Sequence, residues 1–419
     1  MFIDVACSQK KKYNQNAYGD FFTSHRFPSM NRVVAVLSDG LGSGIKANIL
    51  ACMTSTMLLK FLEKNSDIEN SCEIIMNSLP VCKVRGISYS TFSAIDCYES
   101  GKAKIVEEGN PDFIWIRNGE VLKPEFQIIE SKDFKNRKMR VYNIKLEKYD
   151  RIIFCSDGAT QVAMGTKAFP LGLERSGLIK IILNKLEQEP EISSKDLSEY
   201  LIRQVERIAP NKELKDDTSI VSLYCREPRE SLIFTGPPYH QDKDNYYAKT
   251  FIEFKGKKAI SGGTTANIIS RELNIPVTTD VTTTRGKLPG LSNMEGVDLV
   301  TEGILTLTKT LEYLESSKPE ENAAKILMDF MLDSDCINFL VGAQMNKAHY
   351  DPNLPIEIEI RKNVIKQIAK VLEEKYLKKV NVQFVWGKNY GKNYSESLFR
   401  NNLLRYGRNK FKRVTRNCA

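Results

Sequence analysis

Two strongly apolar stretches of the chain end in the same three polar residues. Val33-Val34-Ala35-Val36-Leu37 runs into Ser38-Asp39-Gly40, and Arg151-Ile152-Ile153-Phe154-Cys155 runs into Ser156-Asp157-Gly158. Short apolar runs bounded by a turn signal are typical of buried β-strands. Each of these strands is therefore predicted to deliver an aspartate and a glycine to the end of a sheet.

A third acidic site precedes a strand instead of following one. Asp216 and Asp217 come directly before the apolar run 218–224, and Asp20 is a fourth candidate. Removing an aspartate from water at the end of a buried strand is costly unless the carboxylate is paired or holds a cation. The pattern predicts a carboxylate cluster that holds hard divalent metal ions, which prefer oxygen ligands.

The rest of the first half mixes strand and helix patterns. Asn118-Gly119 lies between two short apolar runs and predicts a hairpin with a primed turn. Alternating stretches predict further strands, and apolar residues at helical spacing predict helices over about 45–63, 69–79, 176–188 and 195–208. Long antiparallel strands with paired helices favour an α+β sandwich over a parallel Rossmann sheet.

A polar break that contains Pro228 separates the two halves of the chain, and Gly236-Pro237-Pro238 follows it. Beyond this break the pattern changes to strand–helix–strand, which predicts a smaller α/β domain. We therefore divide the chain into a first domain (1–226), an α/β domain (227–386) and a basic tail (387–419).

The composition is that of an ordinary globular protein, with 42% apolar and 27% charged residues. The most apolar segment, 49–62, is too short and too polar to be predicted as a membrane span. The first residues lack the layout of a secretory signal. The nine cysteines are scattered without a Cys-x-x-Cys pair, which argues against disulfides and zinc. We expect a cytoplasmic protein.

The net charge of +9 is concentrated at the C-terminus. From Lys388 onward the chain carries nine basic residues and one acid, Glu396, so the tail accounts for +8 of the +9. A solvated basic tail explains this distribution without a nucleic-acid partner. Nucleic-acid binding is therefore not predicted.

The acidic residues have the chemistry for two Mg²⁺ or Mn²⁺ sites. Asp39 can bridge two ions, with Asp20 and Gly40 completing one site and Asp157 and Asp216 the other. Gly40 would bind through its carbonyl, since the lack of a Cβ lets the backbone approach an ion. Two ions about 3.5–4 Å apart would acidify a shared water and hydrolyse a phosphate ester in line. In this interpretation Asp39 and Asp157 are catalytic through the metal-bound water.

Five motifs, in this order along the chain, resemble those of the metal-dependent (PPM, or 2C-like) serine/threonine phosphatases, especially their bacterial SpoIIE-like branch. They are Gly19-Asp20, Ser38-Asp39-Gly40-Leu41-Gly42-Ser43-Gly44, Gly109-Asn110-Pro111, Ser156-Asp157-Gly158 and Asp216-Asp217-Thr218. The resemblance covers about residues 1–226. It implies two antiparallel sheets flanked by helices, a binuclear Mn²⁺ or Mg²⁺ centre, and dephosphorylation of phosphoserine or phosphothreonine in a protein.

The resemblance also implies a set of metal ligands: Asp20, Asp39, Gly40 through its carbonyl, Asp157 and Asp216. In the wider family the last motif is Asp-Asn, so Asp216 is preferred and Asp217 is the alternative ligand. The sequence departs from the eukaryotic members because it lacks their N-terminal arginine motif, as the SpoIIE-like branch generally does. A single Asp-Gly after a strand is a turn in most proteins, and only the joint pattern favours a metal site.

The second domain contains a strand-to-helix junction at Gly262-Gly263-Thr264-Thr265. Free N–H groups and the helix dipole favour an anion there, which predicts a site for a nucleotide or another phosphate-containing effector. Helix capping and tight packing also explain the same residues and are the favoured alternative. The segment is not a P-loop, because no Gly-Lys-Ser/Thr follows it. Two other candidate loops are 295–303 and 349–352.

Taken together, these features predict a cytoplasmic bacterial serine/threonine phosphatase that acts on a regulatory phosphoprotein and carries a C-terminal regulatory domain. One alternative is a signalling module that keeps the fold but only binds. The other is a hydrolase of small phosphate esters. The sequence leaves the substrate, the effector, the physiological metal and the oligomeric state open.

Overall fold

The computed structural model divides the chain into two compact units, Met1–Pro228 and Arg229–Ala419. It describes residues 1–42, 44–64, 67, 70–71, 73–75, 90–130, 138–279, 291–316, 319–342 and 354–385, with the backbone alone for 354–359. The predicted basic tail and the candidate loop 349–352 lie outside the described residues, as does most of the predicted helix 69–79. Its residues 70–71 and 73–75 are helical.

The first unit contains two antiparallel sheets. The six-stranded sheet has the order β2-β3-β4-β5-β9-β8, and the five-stranded sheet has the order β1-β11-β10-β6-β7. The strands are β1 (Phe2–Lys10), β2 (Asp20–Phe27), β3 (Arg32–Gly40), β4 (Ser90–Tyr98), β5 (Lys102–Glu108), β6 (Ile114–Arg117), β7 (Glu120–Leu122), β8 (Gln127–Glu130), β9 (Lys138–Lys145), β10 (Arg151–Cys155) and β11 (Thr218–Arg226). The hairpin β6–β7 turns at Asn118 and Gly119, both at positive φ, as the sequence predicts.

The two sheets pack face to face, and helices cover their outer faces. Ile95 and Ile105 of the six-stranded sheet share a buried cluster with Phe154 and Leu223 of the five-stranded sheet. The helices are α1 (Ile45–Glu63), the single turn α2 (Asp157–Thr160), α3 (Glu174–Gln188) and α4 (Ser194–Ile208). Helix α1 covers the six-stranded sheet, and α3 and α4 cover the five-stranded sheet. The predicted α+β sandwich is confirmed.

Helix α1 is long and apolar enough to cross a membrane by length and composition. In this fold it is a covering helix instead. Leu58 and Leu62 are fully buried in a cluster with Val34 and Val36 of β3. Burial of one such side chain contributes about 1.5–3 kcal/mol, which accounts for the apolar pattern of the helix.

The second unit is built on one seven-stranded sheet of order β14-β15-β16-β13-β12-β17-β18. Five strands are parallel, and β14 and β15 form an antiparallel edge. The strands are β12 (Glu230–Thr235), β13 (Lys257–Ser261), β14 (Val277–Thr279), β15 (Ser292–Met294), β16 (Leu299–Thr301), β17 (Cys336–Gly342) and β18 (Lys379–Val385).

Helices cover both faces of this sheet. They are α5 (Asp244–Ile252), α6 (Gly263–Leu273), α7 (Ile304–Glu315), α8 (Ala323–Leu332) and α9 (Leu354–Glu374). Phe251 of α5 and Ile269 of α6 are buried in one cluster, and Leu311 of α7, Leu327 of α8 and Ile368 of α9 in another. The predicted α/β class of this region is confirmed. The sequence pattern did not predict the antiparallel edge.

Candidate active site

Asp20 and Asp39 face each other at one end of the six-stranded sheet. Asp20 begins β2 and Asp39 is the penultimate residue of β3, and antiparallel pairing sets the two residues directly opposite each other. Asp20 is almost fully buried and Asp39 is half-buried. Residues opposite each other in an antiparallel pair have Cβ atoms about 4.5–5.5 Å apart. The register therefore places two carboxylates side by side.

Asp157 and Asp216 lie at the matching end of the five-stranded sheet. Antiparallel pairing of Cys155 with Ile220 sets the end of β10 beside the start of β11. A Cβ on Gly158 would overlap the carbonyl oxygen of Asp217, so only glycine fits between the two segments. The second Ser-Asp-Gly tripeptide and the Asp-Asp pair, far apart in sequence, therefore meet in space.

Hydrogen bonds of Ser219 connect the segments that carry the two pairs of aspartates. The hydroxyl of Ser219 on β11 donates to Oδ2 of Asp20 at 2.6 Å, and the Ser219 N–H donates to the Ser156 hydroxyl at 3.0 Å. Through these contacts the ends of both sheets come together. The structure thus brings Asp20, Asp39, Asp157 and Asp216 into one neighbourhood.

The negative charges of these four carboxylates repel one another. Burial, together with the charges of Asp20, Asp157 and Asp216, raises the pKa of Asp39 to about 10. Burial is also the largest cause that raises the pKa of Asp20, to about 6, although the hydrogen bond from Ser219 opposes it. The pKa of Asp216 is raised by burial and by Asp157. A cation at this place would relieve the repulsion.

The donor atoms fit a hard divalent cation. Oδ1 of Asp20 and Oδ2 of Asp217 are buried and have no hydrogen-bond partner among the described residues. Carboxylate oxygens are the ligands that Mg²⁺ and Mn²⁺ prefer. In the described part of the chain, no three acidic, histidine or cysteine side chains already have the arrangement of a metal site.

Asp216 and Asp217 face different members of the cluster. Asp216 is half-buried, and its charge acts on Asp39. Asp217 is buried, its charge acts on Asp20, and its Oδ1 accepts the Lys12 N–H at 3.1 Å. Both aspartates therefore reach the cluster. Asp217 also holds the segment that follows β1.

Gly40 lies where β3 meets the first turns of α1. A Cβ on Gly40 would overlap the carbonyl oxygen of Ala47, so a larger residue would push the helix away from the strand. Gly19 is less constrained, because its Cβ would lie 2.8 Å from Oδ2 of Asp217, which is the end of a side chain. Close backbone approach explains Gly40. It also fixes Asp39 relative to α1.

A buried polar network next to Asp39 was missed at the sequence level. Thr91 on β4 pairs directly with Asp39, and its hydroxyl donates to Asn110 Oδ1 at 2.6 Å. The amide of Asn110 donates to the Ser93 hydroxyl at 3.2 Å, which donates to Glu107 Oε1 at 3.3 Å. Asn110 of the motif Gly109-Asn110-Pro111 is the centre of this network.

The remaining predicted site residues lie in the second unit. Gly262 precedes α6, and Gly263, Thr264 and Thr265 form its first turn. The candidate loop 295–303 includes the end of β16, and Glu302 follows this strand beside Gly263. The structure therefore brings these two candidate loops together.

Comparison with known proteins places this geometry in context. Residues 29–226 match the family model of stage II sporulation protein E (SpoIIE), a range that contains Asp39, Asp157 and Asp216 and begins after Asp20. No curated protein matches the sequence.

Three solved structures illustrate the likeness, each over about half of this chain. The phosphatase domain of the cell fate determinant SpoIIE from Bacillus subtilis has 18% identity over 53% of this chain and 92% of its own, with a TM-score of 0.40. RsbX in complex with magnesium has 19% identity over 53% and 94%, with a TM-score of 0.38. The S. agalactiae serine/threonine phosphatase has 15% identity over 54% and 100%, with a TM-score of 0.38.

Proposed function

We propose that the first unit is a metal-dependent serine/threonine phosphatase, because residues 29–226 match the family model of stage II sporulation protein E. Its substrate would be a phosphoserine or phosphothreonine in a bacterial regulatory protein. The observation that carries the proposal is the convergence of Asp20, Asp39, Asp157 and Asp216 at the joined ends of two sheets.

Asp20, Asp39, Asp157 and Asp216 would hold two Mn²⁺ or Mg²⁺ ions, with the Gly40 carbonyl as a further ligand and Asp217 as the alternative to Asp216. When bound, such ions supply Lewis acidity for hydrolysis of a phosphate ester. The protein's own part is orientation and charge. Ser219 holds one oxygen of Asp20 and leaves the other without a hydrogen bond in the described residues.

The surrounding residues keep the ligands in place. The amide of Gln161 donates to Oδ2 of Asp157 at 3.1 Å, and the register with Thr91 fixes the backbone of Asp39. Rigid strand ends position ligands more precisely than flexible loops do. Like-charge repulsion in the metal-free protein would then be offset when the cations bind.

We further propose that the enzyme acts in the cytoplasm and that the second unit regulates it. The described cysteines are free thiols, which accords with a reducing compartment. The parallel sheet of the second unit is an architecture that binds ligands beyond the carboxyl ends of its strands. These two features support the proposal.

The test is hydrolysis of an aryl phosphate by the full chain with Mn²⁺, with Mg²⁺ and with chelator, for wild type, Asp39→Asn and Asp242→Asn. Asp242 is exposed in the second unit and serves as the charge-matched control. We expect metal-dependent activity in wild type and the control, and none in Asp39→Asn. Metal-independent activity would contradict the proposal. If the protein is inactive and Mn²⁺ does not bind, the non-catalytic module is supported instead.

A phosphopeptide panel, compared with small phosphate esters, tests the substrate class. Higher kcat/KM for phosphopeptides is expected. Equal or better hydrolysis of small esters would favour the alternative that the substrate is a small phosphorylated molecule.

A further inference from the structure

Adjacent parallel strands of the second unit end at one level. Thr235 at the end of β12 pairs with Ser261 at the end of β13, which pairs with Thr301 at the end of β16. The chain then continues into loops that lead to helices. In open α/β sheets, ligands bind beyond the carboxyl ends of the strands. This edge is therefore where a ligand of the second unit would be expected.

The first turn of α6 offers N–H donors at this edge. Its N-cap residue is Gly262, at φ +132°, and no side chain caps the helix. The first N–H groups of an α-helix have no acceptor within the helix. Together with the positive end of the helix dipole, they favour an anion. Helix α6 has 11 residues, so this dipole is developed over several turns.

Two buried hydroxyls provide an independent indication of a ligand. Thr265 is 1% exposed, and its Oγ1 has no hydrogen-bond partner among the described residues. This oxygen points at the α6 junction, 3.5 Å from where a Cβ on Gly262 would lie. Oγ1 of Thr235, at the end of β12, is also buried without a partner in the described ranges. Since a buried unpaired hydroxyl is costly, an acceptor from a ligand at the α6 junction would satisfy the Thr265 hydroxyl.

Gly263 leaves open space beside the same turn. Its φ is not in the left-handed region, and a Cβ there would meet one atom within 4 Å, Oε1 of Glu302, at an ordinary contact distance of 3.7 Å. Neither backbone conformation nor packing therefore requires glycine at this position. A remaining reason for glycine at position 263 is that it lets a ligand come close to the backbone.

Glu302 brings a negative charge to the first turn of α6. Its Oε2 accepts the Gly303 N–H at 3.1 Å, so its carboxylate satisfies the donor that precedes α7. An anion bound at the first turn of α6 would lie near this negative charge. The carboxylate should therefore weaken anion binding, and its removal should strengthen it.

We propose that Gly262, Gly263 and Thr265 form a binding site for the phosphate group of a small phosphorylated ligand. The N–H groups of the first turn of α6 would donate to the phosphate oxygens, with the exposed Thr264 hydroxyl as a further donor. The Thr265 hydroxyl would donate from the buried side. Glu302 limits the affinity. Inorganic phosphate and nucleotides share this chemistry, and the experiment distinguishes them.

The test is calorimetric titration of the full chain with phosphate, AMP, ADP and ATP in chelator. All proteins carry Asp39→Asn, so the first unit cannot bind phosphate through metal ions. We expect at least one probe to bind. Nucleotides that bind more tightly than phosphate would indicate a nucleotide ligand, and equal affinities would indicate a site that recognises phosphate alone.

Gly263→Ala is the decisive variant. Alanine is favoured over glycine in a helix, so the melting temperature without probe should be unchanged or higher. The added methyl group should obstruct the ligand and cost it at least one hydrogen bond to the backbone. Loss of one charge-assisted hydrogen bond should weaken binding about tenfold or more. Thr265→Val removes the buried donor at nearly constant shape and should also weaken binding about tenfold.

Glu302→Gln should tighten binding, whereas Glu320→Gln, the same change at an exposed position, should leave it unchanged. No binding of any of the four probes would overturn the proposal. Binding that survives both Gly263→Ala and Thr265→Val would overturn it as well, because the ligand would then lie elsewhere.

Discussion

At the scale of single residues, the cluster around Asp39 lowers the stability of the metal-free fold. Burial raises its pKa to about 10, and Asp20, Asp157 and Asp216 add their repulsion. An acid that must hold a proton to remain buried destabilises the folded state at neutral pH. Residues that form a functional site commonly lower the stability of the fold in this way.

Asp39→Asn should therefore separate stability from function. We expect the metal-free variant at pH 7.5 to be about 1–3 kcal/mol more stable than wild type, because an amide is neutral without taking up the proton that the Asp39 carboxyl must bind in the folded state. Mn²⁺ should no longer raise its melting temperature. Urea unfolding in chelator measures the first effect, with Asp242→Asn as control. A less stable Asp39→Asn would show that the carboxylate is held by favourable contacts instead.

Glu107 gives the first unit a pH dependence that is separate from the cluster. Burial raises its pKa to about 8 from an ordinary value of 4.5, although the charge of Arg140 opposes the shift. Between these pH values the folded protein holds a proton that the unfolded chain has released. The free energy of unfolding should therefore fall as the pH rises, by at most about 1.4 kcal/mol per unit.

Glu107→Gln isolates this effect, because glutamine has no proton to lose. We expect the stability of wild type relative to Glu107→Gln to decline steadily from pH 5 to pH 8 in urea unfolding with chelator. The exposed Glu120→Gln should show no such trend. A constant difference between wild type and Glu107→Gln would mean that Arg140 keeps Glu107 ionised at all of these pH values.

At the scale of elements, the site depends on strand ends from two different sheets. β3 and β10 each deliver a Ser-Asp-Gly, and β11 begins where β10 ends. One link between the sheets is Ser219 of β11, which donates to Asp20 at the start of β2 and accepts from Gln9 of β1 at 2.9 Å. One hydroxyl thus connects three strands.

Ser219→Ala should weaken both the fold and the metal site. Loss of a hydrogen bond to a charged group should lower the free energy of unfolding by about 1–3 kcal/mol. The Mn²⁺ concentration for a half-maximal rise in melting temperature should increase about tenfold, because Asp20 loses the partner that favours its ionised form. Ser222→Ala is the matched control on the same strand, since the Ser222 hydroxyl has no partner among the described residues. Equal effects of the two variants would contradict this role.

Much of the fold and part of the site could be predicted from the sequence. Apolar periodicity predicts α1, α4 and the hairpin at Asn118-Gly119, because these signals are local. The contact of Ser219 with Asp20 joins residues 199 positions apart, and no local pattern contains it. Two other features also depend on tertiary packing and could not be predicted from a local pattern. One is the close contact of Gly40 with Ala47, and the other is the antiparallel edge formed by β14 and β15.

At the scale of the whole molecule, each unit has its own hydrophobic core. Every buried cluster among the described residues draws its members from one unit. Phe154 lies in a cluster of the first unit, and Phe339 lies in one of the second. A domain with its own core is expected to fold alone. The boundary at Pro228 is then the place at which to divide the chain.

A fragment of residues 1–228 tests this independence and the proposed regulation together. We expect it to unfold cooperatively and to hydrolyse an aryl phosphate with Mn²⁺, since the candidate ligands and their supporting contacts all lie within it. Regulation by the second unit predicts that the kcat of the fragment differs from that of the full chain and no longer responds to phosphate probes. Identical kcat values, with and without those probes, would leave the second unit without a regulatory role. An aggregated fragment without a cooperative transition would show that the first unit needs the second in order to fold.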